Sequence, residues 1–278
     1  MKFTLLAAAL FVVTPWSALG MAAPNLTPVA ETANLRVPES ALVWLHGAET
    51  RLLVSEIDGA GNVVDGQGGV ALLSRDGRMI QQDWLRGLNA PKGMAIRGNA
   101  LFVADLTELV EVDLTTSKII QRYPAKDSVF LNDVTVDAAG LVYVSDTRTN
   151  RIYRLQHGKL ALWQQDISSA NGLKATAQGL VVGAGQQLLL LQQDGKRTLL
   201  AEGFAANIDG VEPMADGSFI VSCWVGFVYH LSADGVLTLL LDSKQQFNTA
   251  DIGYDAATSL LYVPTFNANS LKIYRLSH

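Results

Sequence analysis

Apolar residues along this chain come in short runs separated by turn residues, with no long stretch at helical spacing. The clearest stretch opens Asn132-Asp133-Val134-Thr135-Val136-Asp137, turns at Ala138-Ala139-Gly140 and continues Leu141-Val142-Tyr143-Val144-Ser145-Asp146. Arg151-Ile152-Tyr153-Arg154-Leu155 follows, then a turn at His157-Gly158, then Leu160-Ala161-Leu162-Trp163. Short runs rich in β-branched and aromatic residues, bounded by Gly and Asx, predict strands. This stretch predicts four of them in one compact unit.

The unit recurs. Asp209-Gly210-Val211-Glu212-Pro213, the turn Ala215-Asp216-Gly217, Ser218 to Cys223, Phe227 to Leu231, the turn Ala233-Asp234-Gly235 and Val236 to Leu240 copy it. The residues that open successive units, Gly93, Asn132, Asn171, Asp209 and Asp251, lie 39, 39, 38 and 42 positions apart. A longer first unit opens near Glu39, its extra length in Asp58 to Gly69, which reads as a mobile loop near a channel mouth. Four strands repeating at roughly forty residues are the signature of a β-propeller. The expected fold is therefore all-β, a six-bladed β-propeller of four-stranded blades over residues 26–278. The last unit lacks a fourth strand, and Leu26 to Ala33 belongs to no unit. That N-terminal segment is expected to pair near Leu271–Arg275 and close the ring without a free edge. The pairs Asp76-Gly77, Asp194-Gly195, Asp216-Gly217 and Asp234-Gly235 sit between apolar runs and predict hairpin turns.

Composition refines this picture. Hydrophobic residues make up 49% of the chain and charged residues 17%, which suits a large core and excludes disorder. The net charge is -5 with no basic run, so nucleic acid is not an expected partner. Residues 1–20 read as a secretory signal: Lys2, the apolar run Leu5 to Val13, and the small-x-small site Ala18-Leu19-Gly20. The apolar run is too short to span a bilayer. The mature chain is then periplasmic or secreted, a monomer with no membrane span. Cys223 is the only cysteine, so no internal disulfide forms, and its apolar surroundings predict a buried structural thiol.

In a propeller the first strand of each blade lines the central channel, so residues opening those strands converge in space. Here they include Glu39, Asn132, Asn171 and Asp209, with Asp251 in the last blade. Two carboxylates and two amide carbonyls make an all-oxygen set, the kind that Ca²⁺ or another hard divalent cation takes. Asn171-Gly172 and Asp209-Gly210 taken singly also fit turns. The four at blade spacing favour the metal site. No histidine falls at such a position, and no P-loop, HExxH or G-x-S-x-G motif is present.

The stretches Val37-Pro38-Glu39-Ser40, Leu131-Asn132-Asp133-Val134-Thr135-Val136-Asp137, Ala170-Asn171-Gly172-Leu173 and Ile208-Asp209-Gly210-Val211-Glu212-Pro213 resemble motifs of the SMP-30/gluconolactonase/LRE-like family. That family includes regucalcin-type lactonases and, more distantly, the diisopropylfluorophosphatase type. The resemblance runs from about residue 35 to the end, in order. It implies a six-bladed propeller, a divalent cation held by Glu39, Asn132, Asn171 and Asp209, and hydrolysis of a small-molecule lactone or related ester. It further implies Asp209 as catalytic base or nucleophile. One position departs: regucalcin-like sugar lactonases carry a substrate-binding Arg where this chain has Phe130, which argues against a polyhydroxylated sugar lactone. The alternative is a non-catalytic propeller that binds a small ligand or partner around a structural calcium ion. A third possibility is an interaction scaffold without metal.

Overall fold

The structure, a computed structural model, describes residues 24–277. The expected signal, residues 1–20, lies outside the described residues. Six four-stranded antiparallel sheets stand as the blades of a propeller. Blade 1 spans residues 38–88, blade 2 residues 91–124, blade 3 residues 131–164, blade 4 residues 170–202, and blade 5 residues 208–242. Blade 6 has strands Gly253–Asp255, Leu260–Pro264 and Leu271–Ser277. Among the described residues the only helical element is a 3-10 turn at Phe266–Ala268. The Asp-Gly pairs are hairpin turns as expected: Gly77, Gly195, Gly217 and Gly235 have φ of 87°, 88°, 86° and 88°.

The ring closes at its two ends. The strand Asn25–Thr32 pairs antiparallel with Leu271–Ser277, with Leu26 opposite Leu276 and Thr32 opposite Leu271. It supplies the missing fourth strand of blade 6. Lys272 Nζ reaches Glu31 Oε2 at 2.8 Å across this seam.

The core lies between blades, since each sheet has two faces and both pack on a neighbour. Leu53, Val70 and Trp84 of blade 1 meet Met94, Leu101 and Val103 of blade 2. Val181 and Leu188 of blade 4 meet Val221 and Tyr229 of blade 5. Leu52 and Leu73 of blade 1 meet Tyr262 and Ile273 of blade 6, so the core also runs across the closure. Burying such a side chain stabilises by about 1.5–3 kcal/mol. This is why the middle strands read as almost continuously apolar. Cys223 lies in this core, and burial pushes its thiol up to about 12, as fits a structural thiol.

Candidate functional site

The innermost strands of blades 1 to 5 share one irregularity. Their pairing register shifts between Pro38 and Ser40, Pro91 and Met94, Leu131 and Val134, Ala170 and Leu173, and Ile208 and Val211. Glu39, Lys92, Asn132, Asn171 and Asp209 fall within these shifts. A bulge re-aims side chains at a strand end, and these five side chains line a single cavity of about 540 Å³. The bulge also leaves the next backbone N–H without a ladder partner. A serine on the second strand accepts it in three blades: Ser40 N to Ser55 Oγ at 2.9 Å, Asp133 N to Ser145 Oγ at 2.9 Å, and Gly210 N to Ser222 Oγ at 2.8 Å.

One alternative falls away here and one sequence expectation changes. Asn171-Gly172 and Asp209-Gly210 are strand residues and not turns. Glycine is needed there because neighbouring inner strands come close: a Cβ on Gly172 would lie 2.3 Å from the Asp209 carbonyl oxygen, and one on Gly210 would lie 2.6 Å from Ile252 N. The residue opening blade 2 toward the cavity is Lys92, one position before Gly93. Pro91-Lys92-Gly93 matches the place of Ala170-Asn171-Gly172, and the base directly after the uncharged run Leu88-Asn89-Ala90-Pro91 was the signal that could have found it.

Carboxylates at the ends of second strands hold the incoming loops. Asp105 accepts the N–H groups of Asn89 at 2.9 Å and Ala90 at 2.8 Å. Asp146 accepts those of Val129 at 2.7 Å and Phe130 at 3.3 Å, so it fixes the approach to Asn132.

Glu39, Asn132 and Asp209 are buried and Asn171 is half-buried. Asn171 Nδ2 donates to Asp209 Oδ1 at 2.6 Å. Asn132 Nδ2 donates to Thr147 Oγ1 at 3.1 Å, and that hydroxyl donates to the Ala170 carbonyl at 2.8 Å. Both amide nitrogens are thus engaged by protein. Glu39 Oε2, Asn171 Oδ1 and Asp209 Oδ2 are buried acceptors with no hydrogen-bond donor. Leaving such a group unsatisfied costs about 1–3 kcal/mol. Three oxygens without donors on one cavity wall fit a hard divalent cation. The set relies on its amides: among the described residues no three His, Cys, Asp or Glu side chains gather as metal ligands.

Charge at the site is concentrated. Burial pushes Asp209 up to about 7, with Asp251 adding to the rise while the Asn171 hydrogen bond and Lys92 oppose it. Glu39 is held well above the usual carboxylate range by burial and then by Asp209, against the pull of Lys92. Lys92 is brought down to about 8 by burial, with Glu39 and Asp105 opposing. Its Nζ donates to the Ala90 carbonyl at 2.8 Å and the Gly61 carbonyl at 3.2 Å. Asp251 lies apart from the four: its Oδ2 accepts the Ser40 hydroxyl at 2.5 Å, and it does not line the cavity.

The cavity's remaining wall is largely apolar, with Phe130, Trp224, Val225, Phe266 and Ile57. The first-unit insertion contributes Gly61. It is shorter than expected, because Gly68 and Gly69 belong to the strand Gly68–Ser74. Asp58 at its start is tied to Arg36 at 3.2 Å and Arg86 at 2.9 Å, and Lys92 grips its Gly61 carbonyl. Among the described residues no histidine lines the cavity.

The fold defines the chain as a six-bladed β-propeller, with a cavity that joins an oxygen-rich wall to an apolar one. No family model matches the sequence, and no curated protein does. Solved structures share the fold. A virginiamycin B lyase from Staphylococcus aureus, in a catalytically inactive form with quinupristin, superposes with a TM-score of 0.61 at 11% identity, over 92% of this chain and 99% of that one. A streptogramin B lyase gives 0.63 at 10% identity, over 92% and 98%. A protein of unknown function from Bacteroides thetaiotaomicron gives 0.69 at 13% identity, over 92% and 76%.

Proposed function

We propose that this protein is an exported, divalent-metal-dependent hydrolase of a lactone or related ester. The observation that carries this reading is the trio of buried oxygens without donors, Glu39 Oε2, Asn171 Oδ1 and Asp209 Oδ2, on one cavity wall. Glu39, Asn132, Asn171 and Asp209 would hold the ion, with calcium the expected one from the all-oxygen set. When bound, a divalent cation polarises a carbonyl or phosphoryl oxygen. With Oδ2 turned to the ion, Asp209 Oδ1, which accepts from Asn171 Nδ2 and keeps a second lone pair, would be the oxygen that acts on water or on the acyl carbon. As a base, Asp209 takes a proton from water while the water oxygen bonds to the acyl carbon. The ester C–O bond then breaks, and the proton passes to the leaving alkoxide oxygen. Lys92 adds positive charge beside the site and lowers the cost of a developing oxyanion.

The resemblance to SMP-30/gluconolactonase/LRE-like motifs supports the same chemistry. The lyases among the similar structures support catalysis on such a propeller, although a fold by itself does not fix an activity. The signal-like residues 1–20 support export. A binding propeller with a structural ion is the second reading. It is favoured by Lys92, whose positive charge pulls both carboxylates down and would dampen Asp209 as a base. A turnover screen of lactones and phosphotriesters, with and without chelator, separates the two. The hydrolase predicts turnover that chelator abolishes and that Asp209→Asn lacks. Calcium binding with no turnover of any member would favour the binding propeller.

A further inference from the structure

Three aromatic rings face the cavity beside the oxygen set, and each is held in place before any ligand arrives. Two cations lie over the ring of Phe130, Lys92 Nζ at 4.3 Å and the Arg148 guanidinium at 4.4 Å from its centre. Its backbone is pinned by Asp146. Trp224 lies on the hairpin between the strands Phe219–Cys223 and Phe227–Leu231 of blade 5 and is 42% exposed, with Val225 beside it. Phe266 lies on the corresponding turn of blade 6 and meets Trp224 edge-on, with centroids 5.6 Å apart and planes at 75°. Phe266 has a φ of 46°, a left-handed conformation that a bulky residue rarely adopts. Such strain persists only where surrounding structure enforces it, and it clusters at ligand clamps. Here Thr265 Oγ1 donates to the Ser270 carbonyl at 2.8 Å and accepts Ser270 N at 3.0 Å, which fixes the turn.

We infer that the cavity takes an ester or lactone with an apolar body, an alkyl chain or aromatic ring, clamped between Phe130 and the Trp224–Phe266 pair while its carbonyl faces the oxygen set. This rests on the hydrolase reading for the reacting group, and on the aromatic walls alone for the body. The polar side chains of Ser169, Gln186 and Asn207 also line the cavity, so the ligand class joins one polar group to an apolar remainder. Any sugar hydroxyl set against the rings of Phe130, Trp224 or Phe266 would be buried there without a partner, which is unfavourable. An Arg in place of Phe130 would stand beside Lys92 and Arg148, whose like charges disfavour it. A volume of about 540 Å³ is in the range of small-molecule sites. Walls already held in place reduce the ordering cost of binding.

The test uses 3-heptylcyclopentanone and 3-methylcyclopentanone, carbon analogues of γ-lactones that have no ester bond to cleave. Tryptophan fluorescence is titrated in the wild type and in Trp224→Phe, Trp224→Ala and Phe266→Ala. The heptyl compound is expected to bind at least about tenfold more tightly than the methyl one, from burial of its methylenes. Trp224→Phe should remove most of the emission change, and the two alanine variants should shrink the preference to about twofold when followed by calorimetry. Trp224 is half-exposed, so its variants should fold, which melting curves verify. Equal affinity for the two compounds, or a preference intact in both alanine variants, overturns the apolar clamp. Turnover of the matching heptyl and methyl γ-lactones is measured in parallel. Chain-dependent binding without turnover retains the clamp and removes the hydrolase. Turnover with no chain preference in binding retains the hydrolase and removes the clamp.

Discussion

Ser222 shows how single residues aim the site. Its hydroxyl accepts Gly210 N and donates to the Ala250 carbonyl, both at 2.8 Å and both buried. Ser222→Ala leaves two buried backbone groups without partners beside Asp209, at a cost of about 1–3 kcal/mol. At about 2–4 °C per kcal/mol, the melting temperature should fall by several degrees. Calcium affinity should fall with it, because the strand end that presents Asp209 loosens. An unchanged melting temperature would show that water or relaxation replaces the serine. Gly210→Ala should be harsher, since its Cβ would meet Ile252 N, Asp251 Oδ1 and Ser222 Oγ all within 2.9 Å. At this scale the sequence was informative where chemistry recurs at blade spacing: Glu39, Asn132, Asn171 and Asp209 line one cavity. Lys92 escaped because Gly93 took its place in the repeat count. Trp224 and Phe266 escaped because they lie in hairpins, where residue identity follows no period.

At the scale of elements, closure was legible because a strand was missing from one unit and spare at the other end. The seam buries Leu276 and Tyr274 in a cluster with Ile220 and Val228 of blade 5, and Leu26 of the N-terminal strand packs against it. Starting the chain at Leu35 should therefore expose the edge of Leu271–Ser277 and uncover that cluster. The truncated protein is expected to melt at least about 10 °C lower, or to aggregate, as judged by light scattering during heating. A truncated monomer with the wild-type melting temperature would contradict the closure's role. The first-unit insertion makes the opposite case. Its apolar contribution is small, and its ties are two hydrogen bonds, Lys92 Nζ to the Gly61 carbonyl and Gly66 N to Asn89 Oδ1, and ion pairs from Asp58 each worth about 0–1 kcal/mol. Replacing residues 59–66 with a short turn should change the melting temperature by only a few degrees. Unfolding on replacement would mean that the grip of Lys92 on Gly61 is structural. Sequence pattern placed this loop near the mouth but could not show that Gly61 forms cavity wall, since a glycine carbonyl leaves no trace in side-chain chemistry.

At the scale of the whole molecule, the inner and second strands carry buried acids that the fold raises. Asp133 and Asp209 are pushed up to about 7, Glu39 and Asp251 well above the usual range, and Glu56 and Asp105 upward, each chiefly by burial. A carboxyl whose folded value lies above its unfolded one holds its proton more tightly in the folded chain. Its contribution to stability is therefore present below an unfolded value of about 4 and is lost as pH rises through the folded value. Asp76, Asp83, Asp113 and Asp216 are shifted the opposite way by hydrogen bonds, but they lie near the surface and lose their contribution only in acid. The chelator-treated protein should thus melt lower at pH 8 than at pH 5, and excess calcium should recover much of the loss at pH 8. A melting temperature that rises across this interval would contradict the electrostatics. Repeats, turns and class of fold were readable because a propeller writes its period into the chain. The charge balance of the channel was not, because it depends on which side chains the bulges turn inward. The most direct test of the account is calcium calorimetry on the wild type and on Glu39→Gln. Binding of one ion by the wild type, weakened at least about tenfold by loss of one carboxylate charge, is the expected result. Equal affinity in both, or no binding in either, would mean that the four oxygen-bearing residues at the blade openings hold no cation, and the hydrolase would lose its physical basis.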